Sequence, residues 1–276
     1  MQISAVGTPE LRTAIAGLEG IDPAKDAPAL EAAKEMLGHK TLKDPEHGYD
    51  RLDNGSGSIT GVWAEENTRE SIYSAFRRKE TFATSGTRLK LRFFGGWQYP
   101  ATLLQNTEWI KTAYAQGVTM GADLPKRDTQ AKAPTFVAWA AKDPDSGNLD
   151  RIQVIKVLLR NGKAEEKIFD VALSGDRRID PMTGKVQPVG NTVDVKTATY
   201  KNTIGATQLQ VVWTDPEFDP AAPALYYLRV LEIPTPRWST ILAAKHGLSP
   251  ATDVPTSIQE RGWSSPIWYT PARERR

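Results

Sequence analysis

From Phe136 onward the chain repeats one pattern: a short run of Val, Ile, Leu, Tyr, Phe or Trp, stopped within a few residues by Gly, Pro, Asn or Asp. Runs that short suit strands closed by turns and are too brief for helices that share a core. Residues 136–139, 152–159, 167–173, 192–200, 208–213, 225–233 and 266–269 read as strands, and only 239–245 reads as a helix. Asn161-Gly162 marks a hairpin, because the tightest hairpin turns need positive φ at both central residues. The flanking runs leave its loop longer than two residues. Residues 135–276 are therefore expected to be β-rich, as a sandwich or an antiparallel sheet packed on the preceding unit.

The first half reads differently. Residues 1–57 hold loosely organised helical stretches and a polar, turn-rich segment. Residues 58–120 read as an α/β unit: a short buried strand at 59–63, then a helix capped by Asn67 with Glu70 completing a capping box. Ile72, Ala75 and Phe76 give that helix an apolar face. Residues 88–93 alternate strictly, as a half-exposed strand does, and 107–116 form a helix stopped by Gly117. Proline, charge and small side chains at 121–134 suggest a linker.

Composition narrows the chemistry. The chain has 276 residues, 39% hydrophobic and 25% charged, as expected for a globular protein with a real core. Its net charge of +2 is spread along the chain, with no footprint for nucleic acid or an anionic membrane. There is no cysteine, so disulfides, thiolate nucleophiles and zinc–thiolate centres are excluded. No apolar run approaches the ~20 residues that cross a bilayer. The first residues, with no basic region followed by an apolar one, do not read as a secretory signal.

Candidate site residues are few. Histidine occurs three times, at His39, His47 and His246. His39 and His47, with Glu46, Asp50 and Asp53, are the one local set that could ligate a metal, but their spacing fits no compact motif and a polar loop is the plainer reading. His246 ends a helix, where an imidazole complements the dipole. Glu65, Glu66, Asn67 and Arg69 follow a strand, where α/β folds present functional loops; the same carboxylates also suit a helix N-terminus. Thr84 and Ser85 offer hydroxyls and amides to an anion, or simply form a turn. Arg88, Lys90 and Arg92 share one strand face, either solvated or anion-facing.

Several strings together resemble a known family. They are Gly61-Val62-Trp63-Ala64-Glu65-Glu66-Asn67-Thr68-Arg69, Glu80-Thr81-Phe82-Ala83-Thr84-Ser85-Gly86, Arg92-Phe93-Phe94-Gly95-Gly96-Trp97, Gly190-Asn191-Thr192-Val193-Asp194, Glu232-Ile233-Pro234-Thr235-Pro236-Arg237-Trp238, Gln259-Glu260-Arg261 and Ser265-Pro266-Ile267-Trp268-Tyr269-Thr270-Pro271. In this order they resemble the C-terminal part of the bacterial domain-of-unknown-function family 3604, which is similar to polymerase-and-histidinol-phosphatase (PHP) metallohydrolases. The resemblance implies a distorted α/β barrel that holds divalent Mn, Zn or Fe and hydrolyses phosphoester-like substrates, followed by β-rich elements. It places the His and Asp ligand motifs upstream of these strings and so transfers no metal ligand to this chain. Glu65, Glu66, Asn67, Arg69, Thr84 and Ser85 are carried over in supporting or substrate-facing roles; Arg88 is a substrate-facing candidate only as one of the strand-face cations.

The expectation is a barrel remnant joined to a β-rich domain: the C-terminal part of a metal-dependent hydrolase, catalytically incomplete alone, with its own N-terminal half as partner. No nucleic-acid or membrane partner is expected, and the resemblance leaves room for export of full-length relatives. The alternative is a non-catalytic binding or accessory module that uses the β-rich half. A complete metallohydrolase built around His39 and His47 is the third reading.

Overall fold

The computed structural model describes residues 57–127, 131–252 and 254–271. His39 and His47, the other readings on residues 1–56, and the basic end lie outside the described residues. In chain order the elements are β1 (Ile59–Val62), α1 (Arg69–Arg77), β2 (Thr81–Thr84), β3 (Lys90–Gly96), a 3-10 turn (Leu103–Gln105), α2 (Trp109–Gln116), β4 (Val118–Thr119), β5 (Thr135–Ala141), β6 (Leu149–Arg160), β7 (Lys163–Leu173), β8 (Gln208–Thr214), β9 (Ala224–Pro236), α3 (Trp238–Lys245), β10 (Ser257–Ser264) and β11 (Ile267–Tyr269).

Side chains of a strand alternate between its faces, and that alternation builds two layers here. Leu89, Leu91 and Phe93 beside Phe136, Ala138 and Ala140 of β5 and Leu209 of β8 turn one face of the smaller sheet inward. The same core takes Ile152, Val154 and Leu158 of β6 and Tyr226, Leu228 and Val230 of β9 from the larger sheet. Phe94 and Val137 point the other way, into a second cluster with Tyr99, Leu103 and Ala113, which roofs the outer face of the smaller sheet. Phe136 sits at the centre of the main core, with its ring centroid 5.3 Å from Phe93, 4.5 Å from Tyr226 and 6.0 Å from Trp213.

The larger sheet runs β1-β2-β10-β9-β6-β7, with β11 also on β9, and the smaller runs β4-β3-β5-β8. All ladders between these strands are antiparallel. The β-rich character expected of the chain is thus present, as two antiparallel sheets with few helices. The parallel pairing characteristic of an α/β barrel does not occur between the named strands of the described residues. Strands from residues 58–120 share both sheets with later ones: β2 lies between β1 and β10, and β3 pairs with β5. Residues 121–124 lie along β11, where Gly121 N–H donates to Pro266 O and Leu124 N–H to Trp268 O.

Several local expectations need correction. Thr68, not Asn67, caps α1, its hydroxyl accepting from Ser71 N–H. β1 is a half-exposed strand rather than a buried one, and among the described residues only β2 pairs with it. The hairpin loop is only Asn161-Gly162, with φ of 51° and 75°; the strands extend into the charged residues on either side. Residues 192–200 form turns around an isolated bridge, Asp194 to Thr199, instead of a strand.

Candidate functional site

A cleft of about 620 Å³ opens where the segment after β1, the end of α1, β3, α2 and β4 meet. Its acidic floor is placed by the way α1 ends. Lys79 takes a left-handed conformation with φ of 57°, its N–H donating to Phe76 O while Glu80 N–H donates to Ala75 O. This is the Schellman geometry, usually supplied by glycine, and it turns Glu80 inward, where it is 2% exposed. Gly121 packs against that turn; its φ is +90°, and a Cβ there would lie 2.3 Å from Lys79 O, so only glycine fits.

A buried carboxylate needs partners, and Glu80 has three. Its Oε1 accepts from the Tyr114 hydroxyl and, at 3.1 Å, from Thr119; its Oε2 accepts from Arg78 at 3.3 Å. Burial raises the Tyr114 hydroxyl above its ordinary pKa, and Glu80 adds to the rise, so the phenol stays protonated as the donor.

The cationic wall is Arg92. Its strand neighbours Leu91 and Phe93 face the core, so alternation turns Arg92 outward. Trp63 donates from its indole Nε1 to Leu91 O at 2.8 Å, which lays its ring beneath the next side chain. The Arg92 guanidinium lies 3.6 Å from the centre of that ring and donates to the Tyr114 hydroxyl at 3.3 Å. No carboxylate among the described residues pairs with it. The result is a planar cation, pre-oriented by stacking, that lines the cleft. Ala64 and Val118 supply apolar wall between the two arginines.

The residues singled out in the sequence divide between this cleft and a second place. Glu65 lines the cleft, whereas Glu66, Asn67 and Arg69 are exposed around the start of α1. Thr84 ends β2 on the side away from the cleft, about 13 Å from Glu80 at ~3.3 Å per residue, and Ser85 and Arg88 follow it. There the Ser85 hydroxyl donates to Glu260 and accepts from Arg261 N–H at 2.9 Å, while Thr84 closes the turn onto Gly86 and Thr87. Arg88 is exposed and pairs with Asp143 and Asp145, which hold its pKa up. Burial opposes ionisation of Asp143, but the amides of Asp145 and Arg88 outweigh it and lower its pKa.

Arg78, Glu80, Tyr114 and Thr119 carried no signal of function in the sequence. Arg92 did, as one of three cations on a strand face, though alternation alone could not separate it from Lys90. Among the described residues, no group of three or more His, Asp or Glu converges so as to hold a metal ion. No helix among them is long and apolar enough to cross a membrane.

Over residues 21–271 the chain matches the family model described as protein of unknown function (DUF3604). No curated protein and no solved structure matches it.

Proposed function

The chain belongs to that family, and from the cleft we propose that its two-sheet unit is the ligand-binding part of a metal-dependent, phosphoesterase-like hydrolase, rather than a catalytic unit by itself. The observation that carries this reading is Arg92: a guanidinium stacked on Trp63, braced by Tyr114 and paired with no described carboxylate. Such a group binds phosphoryl or carboxylate oxygens through two N–H bonds at little ordering cost. Arg78 is half-exposed at the same cleft and already bound on one side to Glu80, so it provides a second, weaker anchor. Ala64 and Val118 would cover the organic part of a phosphomonoester.

In this reading the metal-holding groups come from outside the described residues, in the PHP-like barrel that the sequence motifs imply. Glu80 accepts hydrogen bonds on both carboxylate oxygens from Tyr114, Thr119 and Arg78, so in this reading it positions Tyr114 and Arg78 rather than acting as a base. The alternative of an accessory module without any hydrolase differs only in what the bound ligand is presented to.

p-Nitrophenyl phosphate serves as both ligand and reporter. Purified chain should bind it with quenching of tryptophan emission, and Arg92→Gln should weaken binding about tenfold or more, the loss of one charge-assisted pair. With added Mn²⁺ the chain alone should release no nitrophenol. Binding indifferent to Arg92→Gln, or metal-dependent turnover by the chain alone, would overturn the proposal.

A further inference from the structure

Two connections that carry the chain between the sheets meet over a single side chain. The turn between β2 and β3 leaves the larger sheet for the smaller, and the turn between β5 and β6 comes back. Arg88 ties them together, its backbone N–H donating to Asp143 Oδ2 at 2.7 Å and its guanidinium pairing with Asp143 and Asp145.

Beneath this junction lies Glu232 of β9, which is 0% exposed. Its strand is irregular on both sides: the register shifts between Gln259 and Arg261 of β10 and between Leu149 and Arg151 of β6. Such bulges re-aim side chains. One carboxyl oxygen of Glu232 accepts from Ser146, in the β5–β6 turn. Among the described residues its Oε1 has no geometrically formed hydrogen bond, and neither has the buried Thr87 Oγ1 in the β2–β3 turn, although that hydroxyl is near enough to act on the carboxyl electrostatically.

The charges around Glu232 are mainly of its own sign. Glu260 of β10 and Asp143 both act against its ionisation, and Asp145 stands beside Asp143. Asp150 of β6, linked to Glu232 through Gln259, is neutralised by Arg151 and Arg177. Arg88 is committed to the two aspartates, and Tyr200 approaches from the loop before β8 with its own proton held by burial. Burial pushes the Glu232 carboxyl up to about 7; the Ser146 and Thr87 hydroxyls pull it down by less, and Glu260 and Asp143 add to the rise.

The geometry points to a proton-operated latch: with its proton, Glu232 holds both turns on the larger sheet, and on losing it the junction at Thr87 and Ser146 opens. A proton on Oε1 removes the buried charge and supplies a donor facing Thr87 Oγ1. Its release leaves a buried carboxylate that the Ser146 and Thr87 hydroxyls compensate only in part, with Glu260 and Asp143 opposing it, so that opening to water becomes the better way to solvate it. The latch does not depend on the cleft or on what the cleft binds.

Hydrogen exchange of the whole chain, corrected for intrinsic rates and compared at about pH 6 and about pH 8, reads the latch directly. Amides of residues 84–89 and 142–149 should open more at the higher pH, by a factor on the order of ten to a hundred, while β5 stays protected. Glu232→Gln, neutral at both pH values, should keep the turns closed throughout. Wild-type exchange without this pH dependence, or the same dependence in Glu232→Gln, would overturn the proposal. If that variant does not fold, carboxyl-¹³C NMR of the wild type decides: a glutamate titrating near neutrality together with the exchange change supports the latch, and its absence removes it.

Discussion

Lys156 shows how one residue can defy its position. In β6 the inward-facing series is Ile152, Val154, Lys156 and Leu158, so alternation alone places an ammonium between the sheets. It is 1% exposed, and its Nζ donates to Asp215 Oδ2 at 2.6 Å and to Glu217 O at 2.7 Å. The same Asp215 oxygen accepts from the Tyr226 hydroxyl at 2.8 Å, and burial, then Asp215, raises that phenol's pKa well above its ordinary value. Such a pair contributes little over an apolar one, but breaking it strands a buried charge. Lys156→Met should therefore cost about 3–5 kcal/mol in denaturant melts, whereas removing the exposed Arg160–Glu165 pair should change stability by less than about 1 kcal/mol. Equal losses in the two variants would mean that Asp215 finds solvation without its lysine.

Among the elements, α1 and β1 carry the cleft, and each rests on one small feature. Thr68 Oγ1 accepts from Ser71 N–H at 3.3 Å, so Thr68→Ala should lower stability by about 1 kcal/mol. Asn67→Ala, one residue earlier and exposed, should be nearly silent; thermal melts of the two variants distinguish them. In β1, Gly61 sits opposite Phe82, and a Cβ at Gly61 would lie 2.1 Å from the tip of that ring. The ring covers the glycine and packs against Trp63, 6.1 Å between centroids. Gly61→Ala should cost about 1–3 kcal/mol by displacing Phe82. It should also weaken p-nitrophenyl phosphate binding, because Trp63 supports Arg92. A stable variant with unchanged binding would show that the ring moves aside freely.

At the scale of the whole molecule, stability should respond to pH through Glu232. Below its ordinary pKa of 4.5 this carboxyl keeps its proton whether the chain is folded or not; between there and about 7 only the folded chain keeps it. Stability from this group is therefore complete in acid and is lost as pH rises through about 7, by a total on the order of 3 kcal/mol. Asp143, whose pKa is lowered, acts in the opposite sense at more acidic pH, so it leaves the window between about pH 5 and about pH 8 to Glu232. Urea melts should show the wild type losing stability across that window relative to Glu232→Gln; parallel curves would contradict it.

Sequence alone determined what depends on neighbours along the chain. Alternation made Leu89, Leu91 and Phe93 a core face and Asn161-Gly162 turned the hairpin, because strand pleat and positive φ are local properties. Gly117 does end α2, but in an extended conformation with φ of −163°, where a Cβ would meet the Tyr99 hydroxyl, so its glycine answers to tertiary packing. Tertiary structure decided what depends on neighbours in space. β10, with Gln259, Glu260 and Arg261 at its centre, shows no apolar pattern and is a strand because β2 and β9 supply its hydrogen bonds on both edges. The cleft was equally hidden, since Glu80 meets Tyr114 from 34 residues away, and so was the place at the far end of β2, where Ser85 meets Glu260 from 175. A polar side chain's cost or use in the interior is set by the partner that reaches it, and the chain's order does not encode that partner's identity.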